Sequence, residues 1–376
     1  MILPYPIITA PTLFLDEKKA LNNLKKMSEK AKKSHTRLVP HFKTHQSRHI
    51  GEWYKEYGVT EITVSSIYAA EYFLPQLWEN IHIAFPFNPL EITKLNRLAA
   101  EQSISVQLVN AATAGLLADN LLQQVGYFIE IDAGYGRTGV EVSDFGTIEA
   151  ILRTSLKTNK LKFRGFYIHA GHTYHSSPEE IQAIYHQTTS ALTMLKDKYN
   201  SEFPDLVIRL GDTPSCSIQQ DFAGIDEVGP GNFIFYDLTQ AALGSCTKED
   251  IAVALAAPIV DIKKHKNEIL VHGGGVHLSK DVLILPNGQK SYGEVVFIHE
   301  DGWEILEEPA IVKSISQEHG VLQAPKAIID RVHLGELIGI LPVHSCMTAD
   351  CMGGYMNLKG EKVDHFKGQN SFYRNL

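Results

Sequence analysis

The chain has 376 residues, and with 35 basic against 43 acidic side chains its formal charge is −8. A single core stops growing at about 250–300 residues, so two domains are expected, and the acidic balance leaves no basic stripe able to hold a phosphate backbone, which excludes nucleic acid as a partner. No apolar run approaches the ~20 residues that span a membrane, the N-terminal stretch has neither a charged n-region nor a small-residue cleavage site, and the scattered Cys216, Cys246, Cys346 and Cys351 make no disulfide framework, so the expected setting is cytoplasmic.

In chain order the apolar, β-branched runs are TRLVPHF, EITVSS, IHIAFP, ISVQLV, GYFIEIDA, KFRGFYIHA, LVIRLGD and GIDEVGPG. Between them lie stretches of helical periodicity, among them AAEYFLPQLWEN, ATAGLLADNLLQQ and PEEIQAIYHQTTSALTMLKDKY. Continuous hydrophobic strands that alternate with helices predict a parallel sheet covered on its faces, and eight repeats predict a closed (β/α)8 TIM barrel over 1–245. From 246 to 376 short β runs bounded by Gly, Pro, Asn and Asp predict a mostly β second domain, with PNGQKSYGE as a turn and the N-terminal PTLFLD as a candidate further strand.

A barrel carries its chemistry just past the C-terminal ends of its strands. Lys43 closes run one, Ser65 and Ser66 run two, Asp132 and Arg137 follow run five, His169 and His172 run six, Gly211 to Ser215 run seven, and Gly229 to Asn232 run eight. The loops GDTPS and GPGN each read equally as a capped turn, but after strands seven and eight they fall where barrels bind phosphate. Lys43 alone reads as a solvated charge, yet VPHFKTHQ sets it in a crowded, partly desolvated neighbourhood that favours a neutral amine. A phosphate cradle plus such a lysine points to pyridoxal phosphate. His344 and Cys346, two apart in GILPVHSCMTADC, read as strand then turn, with both side chains on one face and able to reach one ion.

The segments PHFKTH, DAGYGRTGV, GFYIHAGHTY, GDTPS, GPGNFIFYD, QEHG and PVHSC span nearly the whole chain. In this order they resemble the fold-type III pyridoxal-phosphate enzymes that include eukaryotic-type D-serine dehydratase and D-threonine aldolase, relatives of alanine racemase. The resemblance implies an alanine racemase-like barrel plus β domain, with pyridoxal 5'-phosphate on Lys43 as a Schiff base. It places Arg137 near the pyridine ring, His169 on the ring face, Tyr174 near the cofactor oxygens, and Thr213, Ser215, Gly231 and Asn232 on the phosphate. It further implies Zn2+, or another divalent metal, on His344 and Cys346, where aldolase relatives tend to carry Asp in place of the cysteine.

On that resemblance the expected function is dehydration of a D-β-hydroxy amino acid, a small-molecule substrate, by a homodimer with its active site at the subunit interface. Aldol cleavage, with His172 or His319 as base, is the alternative. A racemase would need a second acid or base, for which Tyr292 and Tyr355 are weak candidates, and a non-catalytic carrier would have no use for the metal pair. His272 and His277, in HGGGVHLSKD, stand where relatives commonly have an acidic residue and a lysine, which leaves the substrate open among D-serine, D-threonine and 3-hydroxyaspartate.

Overall fold

A computed structural model of the chain describes residues 8–369. Its backbone forms two compact units, one of Lys25–Lys43 with Gly51–Gly231, the other of Met1–Leu24, Thr44–Ile50 and Asn232–Leu376. The outer limits of the domains read from the sequence, residues 1–7 and 370–376, lie outside the described residues.

In the first unit every apolar run contains a strand: Arg37–Leu38, Glu61–Val64, Asn80–Pro86, Ile104–Leu108, Val125–Asp132, Leu161–Ile168, Val207–Leu210 and Glu227–Val228. Each pairs in parallel with its successor from Glu61 onward, and Arg37–Leu38 pairs with Glu227–Val228. The ring closes through a single parallel bridge, His41 to Thr63. The first strand is short because Pro40 has no N–H for a ladder, and only its carbonyl takes part, accepting from Thr63.

The covering helices carry the expected caps. Ser177 caps Pro178–Tyr199 in a reciprocal box with Glu180, and Asn110 caps Ala111–Asn120. The helix within AAEYFLPQLWEN ends at Phe73 and tightens to a 3-10 turn over Leu74–Gln76, where Pro75 interrupts the hydrogen-bond ladder. Within the barrel Arg209 Nε donates to Glu227 at 2.6 Å, and Glu61 takes Arg37 and Arg164, each at 3.0 Å. These charges are paired with one another.

The second unit is a mainly antiparallel sheet around a core that includes Leu255, Ile269, Val271, Val295, Val312, Leu322 and Ile340. Thr12–Leu15, the strand within PTLFLD, pairs antiparallel with Val253–Lys263 on one side and parallel with Tyr355–Asn357 on the other. The PNG turn joins the small pair Leu283–Ile284 and Lys290–Ser291. One segment departs from its sequence reading: past Leu337–Pro342 the chain enters a helix, Ser345–Met352, rather than a turn. His344 is its N-cap, still extended at φ −135 and ψ 100, and Cys346 lies in the first turn. Among the described residues no helix is long and apolar enough to cross a membrane.

Candidate active site

Lys43 lies in a turn just past the His41 bridge. The crowding expected around it is present in its neighbours: His41, Phe42, Thr44 and His45 are buried, and Phe42 packs on Tyr54, Phe73 and Trp78 with ring centroids 4.9, 5.1 and 5.5 Å away. Lys43 itself is exposed. The apolar anchor is Phe42, and the turn leads Lys43 out to the rim. Burial first, and then the Lys43 charge, lower His169 to about 3. The ring is therefore neutral, and its Nδ1 is engaged by the Gly211 carbonyl, to which it donates.

The DAGYGRTG loop is organised by Asp132. Its carboxylate accepts from the backbone N–H of Gly134 at 2.9 Å, Tyr135 at 2.8 Å and Gly136 at 2.9 Å. Gly134 and Gly136 sit at φ 105 and 73, where a side chain is strained. Asp132 thus holds the loop, while Arg137 lies over the Tyr135 ring at 5.2 Å and His172 stacks on the same ring at 5.9 Å between centroids. Beneath them Glu130 is buried, which raises it to about 7 against the pull of Arg137.

Asp212 caps Thr213–Ile218, accepting from Ser215 N at 2.8 Å and from the Thr173 hydroxyl at 3.1 Å. Burial raises it to about 6. The Tyr174 hydroxyl accepts from Thr213 N at 3.3 Å, whereas the Thr213 hydroxyl is buried with no partner among the described residues. A Cβ on Gly211 would fall 2.5 Å from the Tyr167 hydroxyl, and one on Gly229 3.2 Å from the Val39 carbonyl. GDTPS is therefore a capped turn that also leaves an orphaned hydroxyl beside glycine-bared backbone, a donor set suited to a phosphate. Thr213, Ser215 and Gly231 all belong to this unit.

The second cluster forms around His344 and Cys346, each of which shifts the proton affinity of the other. The His344 Nδ1 stands 3.7 Å from Asp281 Oδ2. The Cys346 sulfur is 3.2 Å from the Thr44 hydroxyl and 3.4 Å from Asn232 Nδ2. Burial opposes charge on both, but the nearby Asp281 carboxylate and Cys346 raise His344 to about 11, and His344 lowers the Cys346 thiol. An imidazolium beside a thiol of lowered proton affinity becomes, once a bound metal displaces their protons, a nitrogen and sulfur donor pair for a borderline-soft divalent ion.

Asn232 turns its amide into this second cluster, donating to Asp237 at 2.6 Å and to Ser345 at 3.1 Å as well as to the sulfur. Thr44, Asp237 and Asp281 were not singled out by sequence reasoning. Thr44 stood inside PHFKTH, and Asp281 ends HGGGVHLSKD, but neither type marks a metal site without its partner in space.

His272, His277 and Glu318 also converge, with ligand atoms within 4.8 Å of one another. The Gly274 N–H donates to His277 Nδ1 at 3.1 Å, so the neutral ring keeps its proton on Nε2, which faces Glu318 at 3.6 Å. His272 Nε2 makes a hydrogen-bond contact with the same carboxylate at 3.4 Å. His319 is exposed and lies opposite His272 in the ladder. Tyr355 is buried, with its hydroxyl donating to the His45 carbonyl at 2.7 Å, a structural placement rather than that of a racemase acid.

Residues 15–238 match the alanine racemase, N-terminal domain family, and residues 252–358 the putative serine dehydratase domain. The chain is 27% identical to a D-serine dehydratase of Dictyostelium discoideum over 96% of each chain. It is also 27% identical to a D-threo-3-hydroxyaspartate dehydratase of Delftia sp. (strain HT23), over 94% of this chain and 95% of that one. Among solved structures, a metal-free variant of D-threo-3-hydroxyaspartate dehydratase superposes with a TM-score of 0.88 at 24% identity, covering 97% of this chain and 99% of that one.

Proposed function

The chain belongs to the alanine racemase N-terminal domain family, and on that premise we propose that it is a pyridoxal-phosphate-dependent lyase that dehydrates a D-β-hydroxy amino acid. The observation that carries the dehydratase reading over the aldolase one is the half-buried His344–Cys346 pair, two residues apart and electrostatically coupled, a nitrogen and sulfur donor set that favours zinc over a harder ion. The curated relatives with the same overall coverage carry dehydratase names.

The residues that would hold the cofactor are Lys43 by its amine, and Thr213, Ser215 and Gly231 at the phosphate; His344 and Cys346 would hold the metal. Bound, the two groups would supply an electron-withdrawing ring for the substrate's Cα and a Lewis acid for its β-hydroxyl. Lys43 is the group that takes the α-proton. Neutral His169, anchored to the Gly211 carbonyl, offers a flat uncharged face, and Arg137 offers a permanent cation that does not donate its proton to a ring nitrogen. The α-proton and the β-hydroxyl leave as water, and hydrolysis of the resulting enamine yields a keto acid and ammonia. Of the two histidines considered as bases, His172 lies in the barrel unit beside Tyr135, and His319 on an exposed strand of the other unit.

The purified chain, reconstituted with pyridoxal phosphate and Zn2+, is expected to release keto acid from one or more of D-serine, D-threonine and D-threo-3-hydroxyaspartate. Glycine and an aldehyde in place of keto acid would convert the reading to an aldolase, and no turnover of any of the three would overturn it. Lys43→Ala is expected to abolish both the yellow colour and borohydride labelling, since it removes the amine. The homodimer is part of the same proposal, supported by the relationship to this family, and light scattering at twice the chain mass checks it.

A further inference from the structure

Resting on the reading of His344 and Cys346 as metal ligands, we infer that Asp281 is the positioning residue that fixes the His344 ring so that Nε2 is the nitrogen offered to the metal. Its carboxylate faces Nδ1 at 3.7 Å. A ring nitrogen that faces a carboxylate keeps its proton, and the opposite nitrogen then presents its lone pair.

Asp281 is itself held from its own segment. The Ser279 hydroxyl donates to Asp281 Oδ2 at 2.6 Å, and the Asp281 N–H donates back to Ser279 Oγ at 3.3 Å. Ser279 has φ 69 and ψ −170, a backbone region that is almost confined to glycine. Strain of that kind persists only where the surroundings over-determine it, and here it delivers a carboxylate to a histidine. The segment is also fastened to the helix that His344 caps: the Thr348 hydroxyl donates to the Leu278 carbonyl at 3.1 Å. Asp281 and His344 therefore ride on one packed piece of backbone.

The cysteine has its own supports, Thr44 and Asn232, the latter fixed by Asp237. Each donor of the pair thus has a dedicated polar partner, and the anionic one is reserved for the imidazole. Orienting partners of this kind typically change metal affinity by about 10–100-fold when removed.

The test uses the full chain, stripped with a chelator and titrated with Co2+, and follows the thiolate-to-cobalt absorption band. Wild type is expected to develop the band and Cys346→Ser to lose it. Asp281→Asn is expected to develop the same band at saturation, with about 10–100-fold weaker affinity and an unchanged thermal midpoint of the metal-free protein. Equal affinity in Asp281→Asn and wild type overturns the role of Asp281 while the metal reading stands; absence of the band in wild type overturns both. A loss of affinity matched by a lower midpoint of the metal-free chain overturns the positioning role in favour of a purely structural one. Should Asp281→Asn fail to fold, Ser279→Ala, which releases the carboxylate, is expected to weaken cobalt binding in the same direction, and unchanged affinity there overturns the inference.

Discussion

Glu130 shows how the barrel interior controls charge one residue at a time. Burial raises its carboxyl from the ordinary value of 4.5 to about 7, so between those values the folded chain binds a proton that the unfolded chain has released. Stability therefore falls as pH rises from about 4.5 to about 7, the reverse of the usual carboxylate behaviour. Glu130→Gln removes that dependence and is expected to raise stability at pH 8 relative to pH 5 by on the order of 2–3 kcal/mol compared with wild type. Urea denaturation of both proteins at the two pH values reads this directly, and an unchanged difference between them counts against the raised carboxyl. The motif residues Lys43, Arg137 and His169 were legible because barrel chemistry concentrates where strands end. Thr44, Asp281 and the turn of Asn232 toward Cys346 were not, since each acquires its role from a residue more than sixty positions away.

At the scale of elements, the short helix Thr213–Ile218 is too brief to be stable by its own hydrogen bonds, and its two ends are fastened differently. Asp212 caps the start, and at the far end Lys30 Nζ donates to the carbonyls of Cys216 at 2.8 Å, Ser217 at 2.9 Å and Gln219 at 2.7 Å. The ammonium thus satisfies carbonyls that a helix terminus leaves open, and its charge complements that end. Lys30→Met keeps much of the volume and removes all three donations. It is expected to cost about 2 kcal/mol, measurable as a lower thermal midpoint, and to weaken pyridoxal-phosphate binding as the Thr213 loop loosens; a variant with wild-type midpoint and affinity would show that the helix does not depend on this cap. Lys30 was invisible as a cap because it lies on the helix Glu17–Lys33, far earlier in the chain. The strand-to-helix switch at His344 was equally hard to read, since Ser345–Met352 is a single two-turn helix without a strong apolar period.

For the whole molecule, the parallel barrel was legible because strands buried on both faces are unbroken apolar runs, whereas the way the second unit is assembled was not, because antiparallel partners can come from any part of the chain. A boundary at 245/246 separates Val253–Lys263 from Thr12–Leu15, with which it pairs residue for residue, Leu13 opposite Leu255 and Phe14 opposite Ala254. It also removes residues 44–50, which hold the C-terminal segment through Ser47 Oγ on Asp364 at 2.7 Å and Tyr355 on the His45 carbonyl. Leu13, Phe14 and Leu15 are each at most 1% exposed, and burying three such side chains is worth about 5–8 kcal/mol. That equals much of the roughly 5–15 kcal/mol by which a domain is stable at all. A fragment of residues 246–376 is therefore expected to show no cooperative unfolding transition by circular dichroism in urea, with Val253–Lys263 left as an unpaired apolar edge that promotes aggregation. A cooperative transition in that fragment would mean that the strand from the N-terminus decorates the second unit rather than completing it.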